Sequence, residues 1–152
     1  MKIGDRRIEL NGILWDTENF SINNKLYFNK IYFTRDEAIG LINHKNKRLP
    51  TNEELSDLFD WCHQWDGERK GIWFANKHNE LGTSKSLFLP AMGSSSILSP
   101  NEGFDIGFKG RYWSANTNRI NNPYYLWFRD KNHDLEYGTF SQMLSIRLVQ
   151  DV

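Results

Sequence analysis

Cysteine occurs once, at Cys62, so the chain has no internal disulfide framework and no multi-cysteine zinc site. The lone thiol reads as a small buried or half-buried hydrophobe. An excess of one charge is equally missing. Nineteen basic residues offset nineteen acidic ones, which leaves no long-range field to draw nucleic acid, an anionic membrane or an acidic polymer. No run of eighteen apolar residues occurs, so no membrane-spanning helix is expected. The opening stretch Met1-Lys2-Ile3-Gly4-Asp5-Arg6-Arg7-Ile8-Glu9 lacks the apolar centre of an export signal. Read as a natural start, it implies synthesis without export.

Aromatic residues make up 14% of the 152 and are distributed along most of the chain, which suits sheet faces and loop-packed cores. A chain of this length fits one domain, residues 1–152, burying about 68–70% of its unfolded surface. Short apolar bursts up to residue 33, parted by turn signals such as Asn11-Gly12, predict two or three strands. Thr34-Arg35-Asp36-Glu37 has the spacing of a capping box and predicts a helix from Arg35 to about Asn43. Ala38, Ile39, Leu41 and Ile42 are its inward face, and the basic tract from His44 to Arg48 closes it as a solvated end.

Thr51-Asn52-Glu53-Glu54 repeats the device after Pro50, with Leu49 placed to staple against Leu55. The stripe Leu55, Leu58, Phe59 and Cys62 carries this second helix to about Trp65. Beyond Asp66-Gly67 the pattern predicts mainly antiparallel strands, at 72–75, 87–89, 112–115, 124–128 and 144–149. Gly93-Ser94-Ser95-Ser96 and the span 100–110 read as loops, with Gly103, Gly107 and Gly110 serving turns.

In this order the phrases Arg48-Leu49-Pro50-Thr51, Gly110-Arg111-Tyr112-Trp113-Ser114 and Ser145-Ile146-Arg147-Leu148-Val149 carry a resemblance. The chain resembles the Fibrobacter succinogenes major paralogous domain family over roughly residues 12–149. The resemblance implies an α+β, C-type-lectin-like fold, with two helices packed on a twisted antiparallel sheet. That fold is also used by phage tropism determinants and by the variable proteins of diversity-generating retroelements. It implies no fixed activity. Calcium-dependent sugar lectins of similar fold carry Glu-Pro-Asn or Gln-Pro-Asp with Trp-Asn-Asp, whereas this chain offers only Asn121-Asn122-Pro123. Formylglycine-generating enzymes work through paired cysteines, and Cys62 stands alone.

No cofactor, metal or catalytic set is implied by the residues. His44, His63, His78 and His133 lie in separate segments, and metal sites need convergent ligands. The most suggestive surface lies between Tyr112 and Tyr137. Strand alternation places Tyr124, Leu126 and Phe128 on one side and Tyr125, Trp127 and Arg129 on the other. With Leu126 and Phe128 in the core, Tyr125, Trp127 and Arg129 form an outward strip, joined by Asn116, Asn118, Arg119, His133 and Tyr137 as ligand-binding residues. These types make recognition surfaces. The bland alternative packs Tyr125 and Trp127 under a loop, while Trp113 belongs to the core.

The expected function is therefore a non-enzymatic binding or structural display module of a bacteriophage virion, on its head or tail. Its partners would be other virion or surface-assembly proteins and a host glycan or receptor protein, without nucleic acid or membrane. A homo-oligomer fits such display. The alternatives are a secreted or cell-surface bacterial adhesin, and a hydrolase using Asp130, His133 and Asp134.

Overall fold

The computed structural model describes residues 7–24, 27–42 and 46–152. It is a mixed α+β structure in which strands prevail, with two short α-helices and several antiparallel sheets. Among the described residues no helix is long and apolar enough to cross a membrane. The N-terminal segment forms β1 (Arg7–Leu10), β2 (Ile13–Asp16), β3 (Ile22–Asn24) and β4 (Tyr27–Lys30). Asn11 and Gly12 both take positive φ between the paired residues Leu10 and Ile13, the tight turn that this dipeptide predicts. Of the apolar bursts up to residue 33, the parts at Lys2-Ile3 and Lys25-Leu26 fall outside the described residues.

Both capping boxes form. Thr34 Oγ1 accepts from the Glu37 amide at 3.1 Å while the Glu37 carboxylate accepts from the Thr34 amide at 2.9 Å, opening α1 (Arg35–Ile42). Thr51 and Glu54 repeat the exchange at 3.2 and 2.8 Å and open α2 (Asn52–Asp57). The inward face of α1 is narrower than its apolar content predicts. Arg35, Ala38 and Ile42 share one stripe, so Ile39 and Leu41 flank it and are exposed. Of the basic tract, Lys47 pairs with Asp16 at 2.8 Å, and Arg48 holds Glu54 through two 2.7 Å bonds and Asp151 through one of 2.9 Å. His44 and Lys45 fall outside the described residues.

The second helix does not reach Trp65. After α2 a 3-10 turn (Leu58–Asp60) buries Leu58 and Phe59, Trp61 is extended, and Cys62–Asp66 is strand β5. Spacing alone does not separate a longer helix from this sequence of elements; long-range pairing decides it. Cys62–Asp66 pairs antiparallel with β6 (Gly71–Ala75), and the Asp66 carboxylate fixes the turn by accepting from the Glu68 and Arg69 amides and from Trp73 Nε1, each at 3.0 Å. Leu49 and Leu55 fall in different core clusters, so the expected staple does not join them.

β7 (Leu87–Pro90) completes the β5–β6–β7 sheet. The serine run and part of the span after it are strands rather than loops: β8 (Ser94–Ser96) and β9 (Ser99–Phe104) pair as a hairpin. Ser95 stabilises them from within, its hydroxyl lying 2.6 Å from the Glu102 carbonyl and 3.2 Å from that of Ser99. This polar pairing leaves no hydrophobic alternation to read. β13 (Gln142–Met143) adds to the other side of β8.

The central sheet is β10 (Gly110–Thr117), β11 (Pro123–Phe128) and β12 (His133–Tyr137). Its β10–β11 hairpin buries residues on both faces. Tyr112, Leu126 and Phe128 join one core with Leu55, Leu58 and Phe59. Trp113 and Tyr125 join a second with Phe33, Leu144 and Ile146. The closing segment stitches the elements together: Leu144 bridges Phe33, Ser145 bridges Tyr112, and Val149 bridges Arg48 before entering β14 (Val149–Asp151), which pairs with β2. Residues 144–148 are thus extended but mostly outside regular strand.

Arg147 within that segment is 1% exposed. Its guanidinium bonds Asn19 Oδ1 at 2.7 and 3.0 Å and the Asp16 carbonyl at 3.1 Å. Burial lowers its pKa. Asn19 in turn donates to the Tyr112 hydroxyl at 3.0 Å, which donates to the Pro90 carbonyl at 2.7 Å. Burial pushes Tyr112 up to about 12.

Candidate functional site

The second face of the β10–β11 hairpin changes character along its length. At one end Trp113 and Tyr125 meet edge to face with ring centres 6.2 Å apart, and the Tyr125 hydroxyl donates to Glu136 at 3.0 Å. Tyr125 is 6% exposed, so it leaves the outward strip that alternation predicts for Tyr125, Trp127 and Arg129. Alternation correctly separates the two sides of β11, but loop and closing-segment cover makes the second side a core as well. Trp127 follows, half-buried, between Arg111 and Asp134 in cross-strand register. Lys109 covers its ring, with Nζ 4.5 Å from the ring centre, a cation–π contact. Arg129 is exposed.

Beside Trp127 an open cleft of about 430 Å³ lies between the β5–β6 hairpin and the loop 105–109. Trp65 and Phe108 provide apolar lining, and Lys70, Lys109 and Arg129 provide positive charge against the carboxylates of Asp105 and Asp130. The loop is firmly tied. Asp105, at φ +61°, accepts through its carbonyl from the amides of Phe108 and Lys109 at 3.0 and 3.1 Å. Gly107, at φ +84°, donates to the Ala91 carbonyl at 2.7 Å, while Ala91 donates to that of Lys70 at 2.8 Å. Lys109 is therefore carried by a braced backbone.

The charges here are incompletely matched. Asp105 binds Arg111 at 2.8 Å, with Ser94 adding a bond at 3.1 Å. Lys70, Lys109 and Arg129 make no ion pair among the described residues. Burial, then the like charges of Arg111 and Arg129, lower the pKa of Lys109 against the opposing pull of Glu136 and Asp105. Other depressions of the surface differ in this respect, for Lys30 in one is paired with Glu37 and Arg7 in another with Asp16.

The remaining sequence-nominated residues do not converge here. Asn116 Oδ1 accepts from the Asn52 amide at 2.7 Å, and Asn118 Oδ1 closes its own loop by accepting from the amides of Ile120 and Asn122. Arg119 is exposed in that loop, and Tyr137 contacts Tyr124 with ring centres 4.8 Å apart. This group sits at the Pro123 end of β11, and a six-residue strand of roughly 17–20 Å separates it from Arg129. His133 sits at the Phe128 end but stacks flat on Phe59, 3.7 Å between centres, with His63 edge-on to the same ring at 5.4 Å. Burial and then His63 lower its pKa against Asp134 and Asp60. Among the described residues no three His, Cys, Asp or Glu side chains converge as a metal cage.

Sequence reasoning named Trp127 and Arg129 but missed Lys109, Trp65 and Phe108. The available signal was the alternation Lys109, Arg111, Trp113 leading into β10, which sets the two cations on one side; the pairing of Arg111 with Trp127 brings that side to Trp127. Comparison with family models, with curated proteins and with solved structures finds no match to this chain.

Proposed function

We propose that the chain is a non-enzymatic binding and display module on a C-type-lectin-like scaffold. It holds its ligand in the cleft between the β5–β6 hairpin and the 105–109 loop. The observation that carries this reading is that Lys70, Lys109 and Arg129, which make no ion pair among the described residues, stand beside exposed or half-buried aromatic walls, a mixture suited to holding a polar ligand by one face. The braced loop supports it, since a backbone already held in place loses little entropy on binding. The setting proposed is the surface of a bacteriophage particle, head or tail, where the module contacts a host glycan or protein. The resemblance in its three sequence phrases and the balanced charge support that setting.

The test is retention of the purified chain on arrayed glycans and host-surface proteins. Retention without chemical change of the ligand is expected, with loss on Arg129→Gln at unchanged melting temperature. Turnover of a bound ligand, or retention indifferent to Arg129→Gln, overturns the reading. Mass spectrometry of purified particles tests the setting: peptides of this chain should accompany capsid and tail proteins. Recovery from a bacterial envelope alone replaces the phage setting with the adhesin one.

A further inference from the structure

The chemistry of the cleft narrows its ligand. Resting on the reading above, we propose that it receives an acidic sugar, with the ligand carboxylate between Lys109 and Arg129 and ligand hydroxyls on Asp130. Three observations converge on that class.

First, Lys109 and Arg129 line one cleft and neither makes an ion pair among the described residues. Lys109 lies over Trp127, on the strand face it shares with Arg111, and Asp105 already occupies Arg111 at 2.8 Å. An added anion lowers the mutual repulsion of Lys109 and Arg129, and guanidinium binds carboxylate through paired donors. Second, Asp130 lines the same cleft and makes no ion pair among the described residues. An ionised carboxylate accepts hydrogen bonds and repels a strongly charged polyanion, so it selects hydroxyls and disfavours a phosphate chain. Third, Phe108 is 75% exposed and Trp65 half-buried on the walls. Such rings offer flat apolar contact to the C–H face of a sugar ring. One negative charge, several hydroxyls and an apolar face together describe a uronate or sialate residue at the end of a glycan.

The test titrates the full chain with 3′-sialyllactose, glucuronate, lactose and inorganic phosphate at low salt, read by calorimetry and tryptophan fluorescence. The two acids should bind at least about tenfold tighter than lactose, and more tightly than phosphate. Lys109→Met and Arg129→Gln should each weaken acid binding about tenfold, while Lys85→Gln, a surface cation remote in sequence, leaves it unchanged. Raised salt should weaken binding as well.

Equal binding of lactose, tighter binding of phosphate, an unchanged affinity in both cleft variants, or no binding of either acid overturns the proposal. Melting curves of each variant separate lost contact from lost fold. A neutral glycan or protein retained through Arg129 would sink the acidic-sugar assignment and leave the binding-module reading standing. Ligand turnover would sink that broader reading too.

Discussion

The two faces of the β10–β11 hairpin are built from the same alternation and end differently. On the first, Tyr112, Leu126 and Phe128 are all at most 1% exposed, sealed by Leu55, Leu58 and Phe59. On the second, Trp113 is fully buried and Tyr125 nearly so, but cover thins at Trp127, where a lysine takes the place of an apolar lid. A strand pattern separates two sides without saying which meets water. Here neither does along most of its length, and the surface available for recognition begins where the second core runs out of cover.

The largest effect should come from opening the sealed face. Phe128→Ala is expected to cost about 4 kcal/mol by leaving a cavity, whereas Trp127→Ala should cost clearly less because its ring is already part-exposed. Chemical denaturation of both variants measures the difference, and equal losses would erase the contrast between the faces.

Gly110 sharpens the contrast at its tightest point. An added Cβ would lie 2.2 Å from Phe128 Cζ, so Gly110→Ala should cost about 2 kcal/mol, while Gly67→Ala meets no atom within 4 Å and should be nearly neutral by the same measurement.

Tyr112→Phe should destabilise by about 1 kcal/mol near neutrality by depriving Pro90 and Asn19 of a partner. Its pH dependence is more telling. With Tyr112 pushed up to about 12, the folded chain keeps a proton that the unfolded chain loses near 10. Stability therefore falls as pH rises between those values, and Tyr112→Phe should flatten that fall. Thermal melts across the interval compare the slopes, with Tyr32 and Tyr125, also raised mainly by burial, leaving a residual slope in both proteins.

Lys109→Met stands at the small end. Its stability change should stay within about 1 kcal/mol, since the methylene stem is kept, the charge over Trp127 is lost, and no ion pair among the described residues is broken. A change near that of Gly110→Ala would mean that Lys109 belongs to the core as fully as the residues beneath it.

The features legible in the sequence were those written locally. Four residues suffice for each capping box, and two for the Asn11-Gly12 turn, so Thr34, Thr51 and the first hairpin are placed as predicted. The strands at 72–75, 87–89, 112–115 and 124–128 also follow from local pattern. What failed depends on distant partners. Cys62–Asp66 leaves the helix because Gly71–Ala75 pairs with it, Ile39 and Leu41 stay exposed because only a narrow side of α1 meets the core, and Tyr125 is buried by the closing segment's second core. The cleft was half legible. Trp127 and Arg129 stand in an obvious strand, but Lys109 joins them only through pairing that its own neighbourhood does not reveal.

Arg147 reaches partners 128 and 131 positions earlier in the chain. Such separations raise the loop-closure cost and the contact order, which slows assembly towards the millisecond-to-second regime of β-rich chains. During synthesis the aromatic interior must wait, open to the solvent and to other nascent chains, until residues 144–149 emerge and close it. The ribbon that locks the finished molecule thereby sets the period in which it is most prone to aggregate.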